Sequence, residues 1–200
     1  YMKRIAVLVS GGGTNLQALI DAEKNGILKS GKIVTVVSNK PDVYALERAK
    51  QNQIPAKVIT KKEFGGDSDA FNHALLTYLD EQKIDLVILA GFLAILSPEF
   101  TKRYENRIIN VHPSLIPSFC GDGFYGLRVH QAALDYGVKV TGATVHFVNE
   151  VTDGGKIILQ KAVEILPDDT AESLQKRVME EAEWQLLPQA AELFCSGKLN

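Results

Sequence analysis

The chain has 200 residues, of which 46% are hydrophobic and 23% charged, and its formal net charge is −2. These values are typical of an ordinary globular protein, and the mixed charges along the chain argue against a face for nucleic acid or for a membrane. No apolar run approaches the ~20 residues needed to cross a bilayer, and the N-terminus lacks the features of a secretory signal. We therefore expect a cytoplasmic protein with small-molecule partners, no nucleic acid and no membrane.

Seven apolar runs of strand length recur along the chain, and most are continuous rather than alternating in polarity. Strands that are covered on both faces of a parallel sheet have this pattern. The runs are RIAVLV, KIVTVVS, AKVIT, DLVILAG, RIINV, GATVHFV and KIILQKAVEI. Helical patterns separate them, and this βαβ repetition indicates a parallel sheet with right-handed crossovers.

The helical patterns are NLQALIDAEKN closed by Gly26, YALERAKQNQ closed before Pro55, SDAFNHALLTYLDEQ, FYGLRVHQAALDYG and a long stretch from Ala171 to Cys195. The link NEVTDGG before the last strand is too short for a helical crossover, so the edge strands are expected to be antiparallel. The sequence thus predicts an α/β fold. It is a single Rossmann-like domain over residues 2–200, with a mainly parallel twisted sheet of about seven strands and helices on both faces.

A glycine-rich segment, SGGGTNLQ, follows the first predicted strand and leads into a helix. Free N–H groups at such a helix start favour an anion, so Gly12, Gly13, Thr14 and Asn15 are predicted to bind a phosphate. The alternative is a plain tight turn. A dinucleotide fingerprint would need a glycine in place of Leu16, and the Walker pattern lacks its Lys-Ser/Thr pair, so a monophosphate on a small substrate is favoured.

Asn110 and His112 lie two residues apart at the end of a predicted strand, in IINVHPSLIP. Residues i and i+2 of a strand share a face, so an amide donor and a titratable imidazole would project together at the carboxyl end of the sheet. The alternative is a capping Asn beside a hydrogen-bonded, partly buried His. Asp153, in an Asp-Gly-Gly turn, is by itself more typical of a structural residue, although it would also suit the orientation of an imidazole.

The remaining histidines are interpreted as non-catalytic. His146 lies within a strand pattern and is predicted to be a hydrogen-bonded core residue, whereas His73 and His130 lie on predicted helices as surface or supporting groups. No serine or cysteine is a convincing nucleophile, because the sequence around each candidate lacks a nucleophile elbow or an obvious base. These candidates are Ser10, Ser114 and Cys120. A substrate that brings its own nucleophile fits better, and the spacing of the two cysteines predicts reduced thiols and no metal site.

The segments SGGGTNLQ, AGFLAILSPEF, IINVHPSLIP, TGATVHFV and DGGKIILQ together closely resemble the phosphoribosylglycinamide formyltransferase family, in that family's order and spacing. The similarity runs from Arg4 to Leu199. It implies transfer of a formyl group from 10-formyltetrahydrofolate to the amine of 5-phosphoribosylglycinamide in de novo purine biosynthesis. No metal and no covalent enzyme intermediate are implied.

The resemblance also implies roles for individual residues. Asn110 would hydrogen-bond the formyl oxygen, His112 would act as the general acid, and Asp153 would keep His112 suitably protonated and order a water. The phosphoribosyl substrate would be held by Gly12, Gly13, Thr14, Asn15 and Glu183. Folate would be held by Leu93, Ala94, Ile95 and Leu96, together with Asn110 and the loop Asn149, Glu150, Val151, Thr152 and Asp153. The N-terminal half would then bind phosphate, and the C-terminal half would bind folate and carry the catalytic residues.

Three features of the chain depart from the family pattern. The family has a late Glu that meets the substrate amine, but this chain has one extra residue between Arg177 and Pro188. Counting back from Pro188 places that family position at Glu183, whereas counting forward from Arg177 places it at Ala182. The family often has a basic residue that meets the glutamate tail of folate, but the corresponding segment of this chain is FGGDSDAF. The contact with the tail could pass to Lys61 or Lys62. The loop SFCGDGFYG is longer than in some members, and its glycines would allow it to act as a lid.

Other functions remain as alternatives. Methionyl-tRNA formyltransferase and formyltetrahydrofolate hydrolase share the core, but each has an added domain that is not expected here, and the hydrolase has no need for a phosphate-binding glycine loop. A non-catalytic nucleotide-binding module would explain the fold and the glycines, but not Asn110, His112 and Asp153. The resemblance leaves open whether the chain is a monomer or a weak homodimer.

Overall fold

A computed structural model describes residues 1–199 and has the predicted α/β architecture, with one mixed sheet between helices. The seven strands have the spatial order β3-β2-β1-β4-β5-β6-β7. They are β1 (Lys3–Val9), β2 (Gly31–Ser38), β3 (Ala56–Val58), β4 (Leu86–Leu89), β5 (Ile108–His112), β6 (Val140–Phe147) and β7 (Ile157–Glu164). The first five pair in parallel, and β6 runs antiparallel to both β5 and β7. The predicted antiparallel edge is therefore confirmed.

Helices connect the strands at nearly all the positions that the sequence predicts. They are α1 (Thr14–Asn25), α2 (Tyr44–Gln51), α3 (Ser68–Glu81), α4 (Pro98–Arg103), α5 (Leu127–Tyr136), α6 (Ala171–Val178) and α7 (Trp184–Cys195). Helix α4 and a 3₁₀ turn at Lys61–Phe64 were not predicted, because both are too short to show a hydrophobic period. The predicted helix from Ala171 to Cys195 is interrupted by a π-helical turn at Met179–Glu183.

The core consists of two apolar layers, one on each face of the sheet. Ile5 and Val7 of β1 pack with residues of α1 and α7, whereas Ala6 and Leu8 pack on the other side with residues of α3 and α4. This division follows from the alternation of side chains along a strand. All four are fully buried, and burial of a residue such as Leu8 contributes about 1.5–3 kcal/mol to folding. A strand with two buried faces has no polar side, which is why the runs are continuous.

The carboxyl ends of the parallel strands lie at one edge of the sheet, which is where open α/β sheets bind ligands. Strand β1 ends at Val9 before the glycine loop, β4 ends at Leu89 before the Leu93–Leu96 segment, and β5 ends at His112. The topology thus brings the three predicted functional segments to one edge. No helix within residues 1–199 has the length and apolar character to span a membrane.

Candidate active site

The glycine loop presents free backbone N–H groups. The carbonyl of Gly11 accepts from Ala45 N at 3.0 Å, that of Gly12 from Arg48 Nε at 2.7 Å, and that of Gly13 from Gln17 N at 2.9 Å. The N–H groups of residues 12–15 make no hydrogen bond within the described chain. With the carbonyls occupied elsewhere and the N–H groups unpaired at the start of α1, the loop is suited to an anion.

Glu183 lies against this loop, across the interface of α1 and α7. Its Oε1 accepts from Asn15 Nδ2 at 3.3 Å, and both residues are buried. Burial raises the pKa of Glu183 to about 7, and the hydrogen bond from Asn15 opposes this shift. The Oδ1 atom of Asn15 is also buried and has no hydrogen-bond partner among residues 1–199.

The π-helical turn explains how Glu183 reaches this position. A π turn accommodates one extra residue in a helix, and this turn lies between Arg177 and Pro188, where the family resemblance implied one extra residue. Ala182 is fully buried in the apolar core, whereas Glu183 faces Asn15. Of the two residues that counting allowed, the structure therefore brings Glu183 to the glycine loop.

Asn110, His112, His146 and Asp153 form one polar cluster at the end of β5. Asn110 is paired with His146 of β6, and Asn110 Nδ2 lies 3.4 Å from His146 Nε2. Asp153 Oδ2 lies 3.6 Å from His112 Nδ1, and Asp153 Oδ1 lies 3.7 Å from His146 Nε2. The side chain of Asp153 is only 9% exposed, so the carboxylate acts on both rings with little screening by water.

His112 has a partner at each ring nitrogen. Its Nε2 lies 2.8 Å from the carbonyl oxygen of Phe119, which can only accept, so Nε2 carries a proton. Its Nδ1 faces Asp153. The ring is therefore held between a carbonyl acceptor and a carboxylate, at the end of β5 where a general acid would have to lie.

His146 is buried and hydrogen-bonded, as predicted, but it also belongs to the polar cluster, which the sequence interpretation missed. Burial lowers its pKa, so the ring is neutral near pH 7. Its Nδ1 donates to the carbonyl of Phe147 at 3.0 Å, which leaves Nε2 to accept from the Asn110 amide. No local signal in the sequence placed it there, because its position depends on which residue of β6 lies opposite Asn110 of β5.

Asp153 lies in a tight turn, as its Asp-Gly-Gly context predicts. Its φ is 54°, in the left-handed region, and Gly154 N donates to Val151 O at 3.0 Å. The carboxylate Oδ2 also accepts from the backbone N–H of Gly121 at 2.9 Å. Asp153 thus connects the turn to the loop that follows β5, and the same loop supplies Phe119 to His112.

The Leu93–Leu96 segment has exposed apolar side chains beside unpaired backbone groups. Leu93 is 60% exposed and Ile95 84%, whereas Ala94 and Leu96 pack on the core. Asn72, buried on α3, binds Ile95 O and Ser97 N, and the N–H groups of Ala94, Ile95 and Leu96 have no partner within residues 1–199. An apolar strip with free backbone groups suits a flat ring with polar edges.

The other loop predicted to bind folate, Asn149–Asp153, meets the cluster at Asp153. Val151 is 60% exposed, and Asn149, Glu150 and Thr152 are exposed as well. Val151 N donates to Asn149 Oδ1 at 2.8 Å, which shapes the turn. The loop therefore offers an apolar side chain next to the buried carboxylate.

The remaining candidates are distributed as follows. His73 is exposed on α3, 3.4 Å from Glu99 Oε1. His130 is buried rather than on the surface, both of its ring nitrogens lack a partner within residues 1–199, and burial lowers its pKa to about 4. Cys120 is free, and burial raises the pKa of its thiol, which argues against a nucleophile. In residues 1–199 no group of three or more His, Cys, Asp and Glu side chains could hold a metal ion.

Comparisons with known proteins identify the family. A formyl transferase family model matches residues 3–191. A phosphoribosylglycinamide formyltransferase of Haemophilus influenzae is 45% identical over 199 residues, which are 100% of this chain and 90% of that protein. The trifunctional purine biosynthetic protein adenosine-3 of Gallus gallus is 45% identical over 98% of this chain, which spans 19% of that longer protein.

A solved structure shows the same fold. Glycinamide ribonucleotide transformylase 1 from Symbiobacterium toebii superposes with a TM-score of 0.92 at 41% identity, covering 100% of this chain and 90% of that chain. The family model and the full-length relative are sufficient to assign the family. The chain therefore belongs to the formyl transferase family, and it aligns over its whole length with a phosphoribosylglycinamide formyltransferase.

Proposed function

We propose that the chain transfers the formyl group of 10-formyltetrahydrofolate to the amine of 5-phosphoribosylglycinamide, giving N-formylglycinamide ribonucleotide and tetrahydrofolate. The names of the homologues support formyl transfer in purine biosynthesis. The observation that carries the proposal is the cluster of Asn110, His112 and Asp153 at the same edge of the sheet as a glycine loop with unpaired N–H groups. One group of residues suits proton transfer, and the other suits a phosphate.

The glycine loop would hold the substrate phosphate. The N–H groups of Gly12, Gly13, Thr14 and Asn15 would donate to its oxygens, aided by the dipole of α1. Glu183, beside Asn15, would accept from a donor group of the same substrate. A buried carboxylate close to its pKa of about 7 can take up either protonation state as the substrate binds.

The polar cluster would carry the chemistry. As the amine forms its bond to the formyl carbon, negative charge grows on the formyl oxygen, and the N–H of Asn110 would stabilise that charge. Protonated His112 would deliver a proton to the donor nitrogen as the bond from that nitrogen to the formyl carbon breaks. The proton that the amine loses would return to His112 through a water ordered by Asp153, which would also stabilise the imidazolium. No enzyme nucleophile is needed, because the substrate amine is the nucleophile.

The loop after β5 would move during turnover. The carbonyl oxygen of Phe119 accepts the hydrogen bond from His112 Nε2. Either this contact or the one between His112 Nδ1 and Asp153 must break before the ring can reach a substrate. Three glycines of this loop have positive φ, which eases a backbone change: Gly121, Gly123 and Gly126. We infer that residues 118–126 form a lid, as their length and glycine content predicted.

Membership of the formyl transferase family implies a folate-derived formyl donor. The exposed apolar side chains of Leu93, Ile95 and Val151 fit such a ring, and the free backbone N–H groups of the Leu93–Leu96 segment fit its polar edge. When bound, the donor supplies an activated formyl group. The N-terminal half would thus hold the phosphate, and the C-terminal half would hold folate with the catalytic residues. We also propose a cytoplasmic location and a monomer or weak homodimer.

The proposal is tested by following tetrahydrofolate release from 10-formyltetrahydrofolate. Release should require 5-phosphoribosylglycinamide and should yield one formylated product for each donor consumed. Equal release without the amine would indicate a hydrolase, and formylation of methionyl-tRNA in place of the amine would indicate the tRNA-modifying relative. Absence of all three activities would leave a non-catalytic module.

The assignment of His112 is tested in the same assay. His112→Ala should lower kcat by about 100-fold or more, since general acid catalysis contributes at least that factor. His73→Ala is the matched control, because His73 is exposed and remote in the chain from the cluster. Near-normal turnover of His112→Ala in a folded protein would remove His112 from the mechanism.

A further inference from the structure

Ser10 makes an unusual pair of hydrogen bonds at the start of the glycine loop. It follows β1 directly, is only 5% exposed, and plays no part in the mechanism described above. Its hydroxyl donates to Asn39 Oδ1 at 2.6 Å and accepts from the backbone N–H of Leu93 at 2.9 Å. One side chain therefore joins the ends of three neighbouring strands, β2, β1 and β4.

The bond to Leu93 matters because the Leu93–Leu96 segment has few anchors. Leu93 N is the only backbone N–H of these four residues that is hydrogen-bonded within the described chain. The other side-chain anchor is Asn72, which binds Ile95 O and Ser97 N from α3. Without the Ser10 hydroxyl, the N-terminal end of the segment would lose its hydrogen bond to the edge of the sheet.

The position of Ser10 itself is fixed by the loop that would bind the phosphate. The adjacent Gly11 carbonyl is bound by Ala45 N, and the Gly12 carbonyl is bound by Arg48 Nε, so α2 holds the loop on one side. Asn39 holds the Ser10 hydroxyl in the orientation that leaves its lone pairs to Leu93 N, because the hydroxyl proton is engaged by the Asn39 oxygen. The two substrate segments thus share one rigid connection.

From these contacts we propose that Ser10 is a positioning residue that sets the folate-binding segment relative to the phosphate-binding loop. This inference rests on the proposed function. It adds that a residue of the phosphate-binding loop determines the affinity for the folate substrate. Ser10 contacts neither reacting group. It acts through the backbone of Leu93, and Asn39 acts through Ser10.

The test is the Ser10→Ala variant with both substrates measured separately. The KM for 10-formyltetrahydrofolate should rise about five- to tenfold, the factor that one net hydrogen bond is worth, whereas the KM for 5-phosphoribosylglycinamide should change less than about twofold. The dissociation constant of tetrahydrofolate, measured by calorimetry, should rise by the same factor as the donor KM. Ser10→Thr, which retains the hydroxyl, should restore most of the donor affinity.

Ser30→Ala is the matched control. The Ser30 hydroxyl also makes a part-buried side-chain hydrogen bond, to Glu192 Oε2 at 2.7 Å, but it lies just before β2, at the opposite end of that strand from Asn39. Its loss should lower Tm about as much as Ser10→Ala does and should leave both KM values unchanged. A KM effect that is common to both variants would reflect general destabilisation and would overturn the proposal.

A double-mutant cycle tests the path from Asn39. Asn39→Ala should raise the donor KM in the wild-type background and should have no further effect in the Ser10→Ala background. Unchanged donor KM and tetrahydrofolate affinity in Ser10→Ala would overturn the inference while leaving formyl transfer intact. If the wild-type protein transfers no formyl group, the proposed function fails, and the tetrahydrofolate titration still decides the role of Ser10.

Discussion

Asn110 and His146 face each other across the antiparallel pair of β5 and β6, with the Asn110 amide nitrogen 3.4 Å from the His146 Nε2 atom. His146 Nδ1 donates to the Phe147 carbonyl, so Nε2 can only accept, and it therefore selects the N–H end of the Asn110 amide. The tautomer of one residue thus fixes the amide orientation of the other. The second N–H of the same amide nitrogen is then available to a substrate oxygen.

We expect His146→Ala to lower kcat about tenfold, with little change in the KM of either substrate. Asn110 would still be present, but its amide could rotate and present oxygen to the developing charge instead of N–H. Steady-state kinetics for both substrates measure this, with His73→Ala as the control for loss of an imidazole. A tenfold rise in KM at constant kcat would contradict a role in orienting Asn110.

Asp153→Asn separates two contacts of the carboxylate. Asparagine tolerates the left-handed φ of 54° and can still accept from Gly121 N, but it removes the negative charge that faces His112. We expect kcat to fall about 100-fold while the turn and the loop remain in place. Asp153→Ala should lose kcat to a similar degree and should also release the loop.

Hydrogen exchange of the Gly121 amide distinguishes the two variants. Its protection should be retained in Asp153→Asn and lost in Asp153→Ala, because only the alanine removes the acceptor. Loss of protection in both variants would mean that the charge, rather than the hydrogen bond, holds the loop. Normal turnover of Asp153→Asn would show that His112 does not need the charge.

Most of the fold could be predicted from local sequence patterns. Continuous apolar runs indicated strands buried on both faces, and the short link before the last strand indicated an antiparallel edge. The shared face of Asn110 and His112 followed from the two-residue period of a strand. These features depend on neighbours in the sequence, and the structure reproduces them.

The parts of the site that escaped prediction depend on contacts between distant residues. The place of His146 is set by which residue of β6 lies opposite Asn110, and strand register cannot be derived from composition. The contacts of Phe119 with His112 and of Gly121 with Asp153 lie in a loop whose backbone has positive φ at both Phe119 and Gly121, and nothing in the local sequence indicates this path for Phe119. The extra residue before Pro188 could have been absorbed anywhere in the helix, and only the π turn shows where.

Gly13→Ala should damage both stability and the phosphate site. Gly13 has a φ of +77°, and an added Cβ would lie 2.8 Å from Ala45 Cβ and 2.9 Å from Ala45 Cα. The strained backbone and the overlap should lower the free energy of unfolding by about 1–3 kcal/mol and raise the KM for 5-phosphoribosylglycinamide. Urea unfolding and steady-state kinetics measure the two effects.

Gly11→Ala is the matched control for that variant. An added Cβ at Gly11 would meet no atom within 4 Å, and Gly11 does not have a positive φ. It should retain near wild-type stability and substrate affinity. If both alanine variants behave alike, the close approach of Gly13 to α2 is not what requires glycine at this position.

Glu183 should make the stability of the ligand-free protein depend on pH. Its pKa is about 7 in the folded protein and 4.5 in the absence of burial, so between these values the folded state binds the proton and the unfolded state does not. The stabilisation is present below about pH 4.5 and is lost as pH rises through 7. The loss amounts to about 3 kcal/mol.

Glu183→Gln removes this dependence, because glutamine stays neutral and can still accept from Asn15 Nδ2. The variant and the wild type should have similar free energies of unfolding near pH 5, and the variant should be the more stable near pH 8. Urea denaturation at several pH values measures the difference, and it cancels the titration of all other groups, including buried His130. A constant difference over this range would mean that Glu183 is already ionised in the folded protein. In that case the hydrogen bond from Asn15 and the solvent would stabilise the ionised carboxylate by more than burial destabilises it. Substrate binding at Glu183 would then involve no proton uptake.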